Sequence, residues 1–167
     1  MSDIQKLLSA AIMPQAGHDK PRALWNEDER YDGRPKTATI QVLTIRSHEL
    51  PELVTIPNEL RAMQGIVGGT ICCFQTGVAG TIGVCHDEGL LLQFPPCRFV
   101  PATKSLIFGP IFFAGDGVYM HSLSAPQLEN LLEVFGPELT RAQIFEAIRA
   151  QEEMAAWIEE ENAKLNA

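Results

Sequence analysis

The chain has 167 residues, 46% hydrophobic and 20% charged, with 21 acidic against 13 basic side chains and a formal net charge of -8. That balance fits one globular core and excludes a disordered chain. It also argues against direct nucleic-acid binding, which draws its affinity from lysine and arginine displacing counterions.

In chain order, Ser2 opens an amphipathic helix. Gln5 stands three positions on, in a capping box, and Ile4, Leu7, Leu8, Ala11 and Ile12 make its apolar stripe. Pro14 ends it. Residues 14–36 carry Pro14, Gly17, Pro21, Gly33 and Pro35 among many charges and read as a long loop or linker, with Trp25 and Tyr31 pinning it to the body or to a partner. The β-branched run Thr37–Ile45 predicts a first strand, and Leu53–Ile56 a second. Pro57-Asn58 then starts a short helix with Asn58 as its cap, burying Leu60, Met63 and Ile66 before Gly68-Gly69 stops it.

A meander is expected next, with strands Thr70–Thr76, Thr81–Cys85 and Leu90–Phe94. Its loops are Gly77-Val78-Ala79-Gly80 and His86-Asp87-Glu88-Gly89. Four-residue connections set Cys72 opposite Cys85, Phe74 opposite Gly83, and Gly83 opposite Leu92. One face then carries Cys72, Phe74, Cys85, Leu90 and Leu92, and the other Ile71, Cys73, Ile82, Val84 and Leu91. Both faces are apolar, whereas a solvated antiparallel sheet shows one polar face. Something must cover each side.

Leu106–Phe108, Ile111–Ala114 and Val118–His121 supply more strand material. Ser124 caps a helix with Pro126 in its first turn and Gln127 closing a capping box, and its buried stripe is Leu128, Leu131, Leu132 and Phe135. Gly136-Pro137 terminates it. Thr140 and Gln143 make a further box, opening a helix that runs to Asn162 or beyond, ~35 Å at ~1.5 Å per residue. Ile144, Ile148, Ala155, Ile158 and Leu165 form one stripe along it; Ala147, Ala150, Met154 and Trp157 form a second. Its far end is acidic, with Glu152, Glu153, Glu159, Glu160 and Glu161. Packing along the sheet would cover a stripe, and so would a partner or a second copy in a homodimer.

The expected fold is α+β: a mainly antiparallel twisted sheet of five to six strands, packed helices and a long C-terminal helix. Residues 1–36 form an arm, 37–139 the core and 140–167 the terminal helix. No apolar run approaches the ~20 residues that span a bilayer, and the N-terminus lacks the pattern of a secretion signal. Four cysteines make no disulfide framework, as expected for a reducing cytoplasm without a membrane partner.

The order of short signals resembles a family of small uncharacterised proteins from bacterial phages and mobile elements. Val67-Gly68-Gly69 matches that family's Val-Gly-Gly before a strand. His86-Asp87-Glu88-Gly89 matches its Asn-Glu-Glu-Gly turn, and Phe94-Pro95-Pro96-Cys97-Arg98 its Leu-Pro-x-Asn-Arg element. Gly109, Phe112, Gly115 and the helix start Ser122-Leu123-Ser124-Ala125-Pro126-Gln127 follow in the same order. His86 and Cys97 stand where the family has asparagines. The resemblance implies a mobile-element setting in a bacterial cytoplasm, where small acidic proteins serve as inhibitors of host defence.

The residues themselves assemble no catalytic group. Cys85 and His86 are strand neighbours whose side chains face opposite ways, so neither activates the other. No Cys-x-x-Cys or His-x-x-x-His spacing offers a metal site, and Cys72 with Cys85 would still need two further ligands. The glycine turns do not lead into helix N-termini as phosphate loops do. No metal and no cofactor is expected.

Arg98 follows two prolines that hold it extended. It reads either as an ion-pair partner of Asp87 or Glu88, or as an anchor for an anionic ligand. The expected function is non-enzymatic: binding and inhibiting a host protein with a basic surface, of the nucleic-acid-targeting defence kind (anti-CRISPR or antirestriction type). The binding residues would be His86, Asp87, Glu88, Arg98, Glu152, Glu153, Trp157, Glu159 and Glu160, with Glu27-Asp28-Glu29 adding acidic surface. The alternative is a binder that sequesters an anionic signalling nucleotide at Arg98 and His86. An enzyme using Cys97 or His86 ranks last.

Overall fold

The computed structural model describes residues 35–166. The expected N-terminal helix, the linker with Trp25 and Tyr31, and the acidic run Glu27–Glu29 lie outside those residues.

In order along the described chain come β1 (Thr39–Ile45), β2 (Glu52–Pro57), α1 (Leu60–Val67), β3 (Ile71–Gln75), β4 (Thr81–His86), β5 (Pro96–Val100), β6 (Ser105–Phe108), β7 (Ile111–Gly115), α2 (Ala125–Phe135) and α3 (Arg141–Leu165). Five strands form one sheet in the order β2-β1-β7-β4-β3, and β5-β6 form a separate pair. Every neighbouring pair is antiparallel. The architecture is the α+β one expected, with a long C-terminal helix.

The sheet is apolar on both sides, and both sides are covered. Alternation sends Leu43, Ile45, Ile111 and Phe113 to one face, where they meet Leu128, Leu131, Leu132 and Phe135 of α2 and Cys97 and Val100 of β5. Ile40, Val42, Val84, Phe112 and Ala114 go to the other, under Met63 and Val67 of α1. Ile71 and Ile82 pack partly against this second cluster. Burying each large side chain of these layers is worth roughly 1.5–3 kcal/mol.

One row of facing residues crosses all five strands. Leu53 pairs with Leu43, Leu43 with Phe113, Phe113 with Gly83, and Gly83 with Phe74. Because Gly83 has no side chain, Phe74 on the outer strand lies over it and meets Phe113 edge-on, ring centroids 6.0 Å apart. A Cβ at position 83 would drive into the Phe74 ring.

The expected pairings of Cys72 with Cys85 and Phe74 with Gly83 are present. The third expected strand is not. Residues 87–93 form turns closed by Leu92 N–H to Glu88 O and Phe94 N–H to Gly89 O, with Gln93 at a positive φ of 59°. The second edge of β4 pairs with β7 instead, so Gly83 faces Phe113 rather than Leu92. Leu90-Leu91-Leu92 is an unalternating apolar run, which has no period to distinguish strand from turn.

Val118–His121 likewise forms no strand. His121 makes one bridge with Gly115, while Val118 and Tyr119 are exposed. Asn58 does not cap α1: Glu59 holds the N-cap position, and the Asn58 amide donates to Met120 O at 3.2 Å. Leu60, expected inside, is 56% exposed because α1 turns Met63 and Val67 to the sheet. Both later capping boxes form, Ser124 with Gln127 and Thr140 with Gln143.

Replacing Gly83 by valine is expected to lower unfolding stability by about 1–3 kcal/mol through overpacking against Phe74. The pair Gly83→Ala with Phe74→Ala should recover part of what Gly83→Ala alone loses. Urea denaturation checks both, and additive losses in the double variant would refute the contact.

Candidate functional site

Arg98 occupies the most unusual environment in the described chain. The two prolines before it extend the backbone into β5. A register shift between Pro96 and Arg98 then interrupts the strand's alternation, and consecutive residues Cys97 and Arg98 are both buried. Arg98 is only 3% exposed. Its Nε donates to Phe135 O at 2.7 Å, and its Nη1 to Cys97 O at 2.7 Å.

Phe135 O is one of the carbonyls that the end of α2 leaves without a helical partner. α2 has no basic residue in its last turn. Arg98 therefore supplies from β5 the cation that a helix C-terminus favours. The expected ion pair with Asp87 or Glu88 is not formed. Those two residues are exposed on the turn after β4, where Asp87 N–H donates to Thr70 O and Glu88 N–H to the Nδ1 of His86. Among the described residues no carboxylate pairs with Arg98.

His86 is buried at the end of β4. Its Nδ1 accepts the Glu88 N–H at 2.9 Å, which leaves the ring proton to Nε2, and its ring meets Phe94 edge-on with centroids 5.1 Å apart. These contacts fold the turn. Phe94 O in turn accepts from Nε2 of Gln151 at 2.9 Å, tying α3 to the same segment.

Arg98 also lines a cavity of about 110 Å³ with Ser47, His48, Pro96, Cys97, Glu138, Leu139 and Ile144. Sequence reasoning singled out Arg98, Cys97 and Ile144 for other reasons but did not foresee that they meet, and it gave Ser47, His48, Glu138 and Leu139 no role. They come from four separate segments, and no local pattern announces such a convergence. Pockets for drug-sized ligands run ~300–1,000 Å³, so this one is too small for a nucleotide, and His86 does not line it.

The remaining expected residues lie together on α3. Ala147 is the helix's buried residue; Ala150, Met154 and Ile158 are partly covered; Ile144, Phe145, Ile148 and Trp157 are exposed. Glu152, Glu153, Glu159 and Glu160 are exposed around Trp157. The Nζ of Lys164 lies 3.7 Å from Glu160 and 3.1 Å from Glu161.

The four cysteines divide by environment. Cys72 and Cys73 are exposed on the outer strand β3, and Cys85 and Cys97 are buried. Burial, reinforced by neighbouring Cys72, pushes the Cys85 thiol up to about 12. Burial also pushes Cys97 up to about 11 although the Arg98 guanidinium pulls the other way. Neither is an activated nucleophile. Among the described residues no three His, Cys, Asp or Glu side chains converge as metal ligands would, and no helix is long and apolar enough to cross a membrane.

Comparison with known families matches residues 40–136 to a domain of unknown function, DUF3846. That is more than half of the chain. The chain belongs to the DUF3846 family. The matched region begins in β1 and ends just past α2, so both layers of the core and Arg98 lie inside it and α3 lies outside. No curated protein and no solved structure matches the chain.

The thiol environments predict a pH dependence. Both buried thiols hold their protons in the folded state above the ordinary value of 9.0, whereas the unfolded chain releases them there. Stability should therefore be unaffected by these groups below pH about 9 and fall as pH rises towards 11 and beyond. Denaturant midpoints at pH 8 and 10.5 check this, and the fall should shrink in a Cys85→Ala variant. At pH 8 iodoacetamide should label Cys72 and Cys73 in the native protein, and Cys85 and Cys97 only in denaturant.

Proposed function

We propose that this DUF3846 member is a non-enzymatic protein of a phage or other mobile element, which binds and inhibits a basic host protein through the outer half of its terminal helix. The observation that carries this reading is Trp157. It is 51% exposed, with Glu153, Glu160 and Glu161 three or four residues away on the same helical face. An indole left in water is the side-chain type most often found anchoring an interface.

The surrounding charge suits one class of partner. Among the described residues Glu152, Glu153 and Glu159 form no ion pair, and the Lys164 contacts are solvent-exposed pairs of little energetic weight. Arginines on a partner would find carboxylates to pair with and an indole face to stack on. A positively charged nucleic-acid channel is such a surface, which is the support for nucleic-acid-targeting defence machinery as the target. The net charge of -8 would speed the encounter.

The test uses the full chain as bait in lysate of a bacterial host at low salt, followed by calorimetry with the recovered protein. The expected partner is basic, and its binding is lost near 0.5 M salt, where the screening length is only a few Å. Trp157→Ala should weaken it about 30-fold, the equivalent of about 2 kcal/mol. Unchanged affinity in Trp157→Ala and in Glu153→Lys with Glu160→Lys would overturn the reading. Circular dichroism confirms that the exposed substitutions leave the helix intact.

A further inference from the structure

The Arg98 guanidinium has more donors than the protein uses. It carries five N–H groups. Only Nε and Nη1 have acceptors, at Phe135 O and Cys97 O. No buried side-chain polar atom among the described residues lacks a partner, so Nη2, which has none in the chain, reaches open space. Arg98 also lines the cavity described above, which gives that free edge a place to meet a ligand.

Arg98 is a buried residue whose guanidinium is held by two carbonyls and by no carboxylate, and burying a cation without an opposite charge is costly. The structure assigns this cavity as a binding site for a small monocarboxylate of the acetate or propionate class.

Four features select that chemistry. The edge between Nη1 and Nη2 is a planar fork that matches the two oxygens of a carboxylate. Pro96, Leu139 and Ile144 give part of the wall an apolar character suited to a short alkyl tail. The volume, about 110 Å³, is smaller than the roughly 150 Å³ that admits benzene and suits a ligand of a few heavy atoms. One buried arginine also matches one negative charge better than the two of a phosphate.

Glu138 sharpens the inference. It lies on the exposed link between α2 and α3 and lines the same cavity, yet no ion pair joins it to Arg98. Its carboxylate is a like charge to any bound anion and competes for the guanidinium. Removing that charge should tighten binding.

This site is independent of the Trp157 surface, and its test leaves that surface untouched. Full-length protein is titrated with sodium acetate by two-dimensional amide NMR, against sodium chloride and sodium phosphate at matched ionic strength. Saturable shifts at Cys97, Arg98 and Ile144 with acetate alone are expected. Glu138→Gln should raise the acetate affinity several-fold. Ile144→Trp, which fills the cavity without removing any Arg98 bond, should abolish saturation while the remaining spectrum stays folded. Shifts that are equal in chloride, tighter for phosphate, or preserved in Ile144→Trp would each overturn the assignment.

Discussion

The contact of Phe74 with Phe113 across the bare backbone of Gly83 is the constraint on which the rest of the sheet rests. β3 is an outer strand, and its Cys72, Cys73 and Gln75 side chains are exposed. Phe74 is its anchor to the first core cluster, and it reaches that cluster only because the residue between the two rings has no side chain. The same row continues through Leu43 to Leu53 at the opposite edge, so one line of side chains ties all five strands to the layer formed by α2 and β5. A slip of one residue in β3 would send Phe74 to the other face.

Much of this was legible because it is written locally. Two capping boxes place the starts of α2 and α3 to the residue, since the cap hydroxyl accepts the glutamine N–H while the glutamine side chain accepts the cap N–H. Alternation in β3 and β4 gave the register, and the absence of a polar face required cover on both sides. The failures share a cause: they depend on what lies across space. Leu90-Leu91-Leu92 has the composition of a strand but no open edge to pair with, because β7 returns from later in the chain to take it. Val118 and Tyr119 have β-forming side chains but lie exposed outside any strand.

Arg98 illustrates the same limit. Its isolation between prolines and apolar strands marked it as special, but charge alone suggested the nearest carboxylates as partners. A helix end thirty-seven residues later was the actual acceptor, paired through a carbonyl that carries no formal charge. Its cavity also joins parts of different standing. Cys97 and Arg98 belong to the matched family region, while Glu138, Leu139 and Ile144 come from the segment beyond it. The site as a whole is thus a property of this chain rather than of the matched region alone.

The Arg98 bond to Phe135 has a mechanical side. It fastens the last turn of α2 to β5, six residues before α3 begins at Arg141. α3 is a rod of 25 residues, about 37 Å at ~1.5 Å each, held near its base by Ala147 and Gln151. A rod held mainly along its first half carries its far end wherever those holds direct it, so Ala147 and the Gln151 bond to Phe94 aim the distal tryptophan, while the arginine secures the neighbouring helix end.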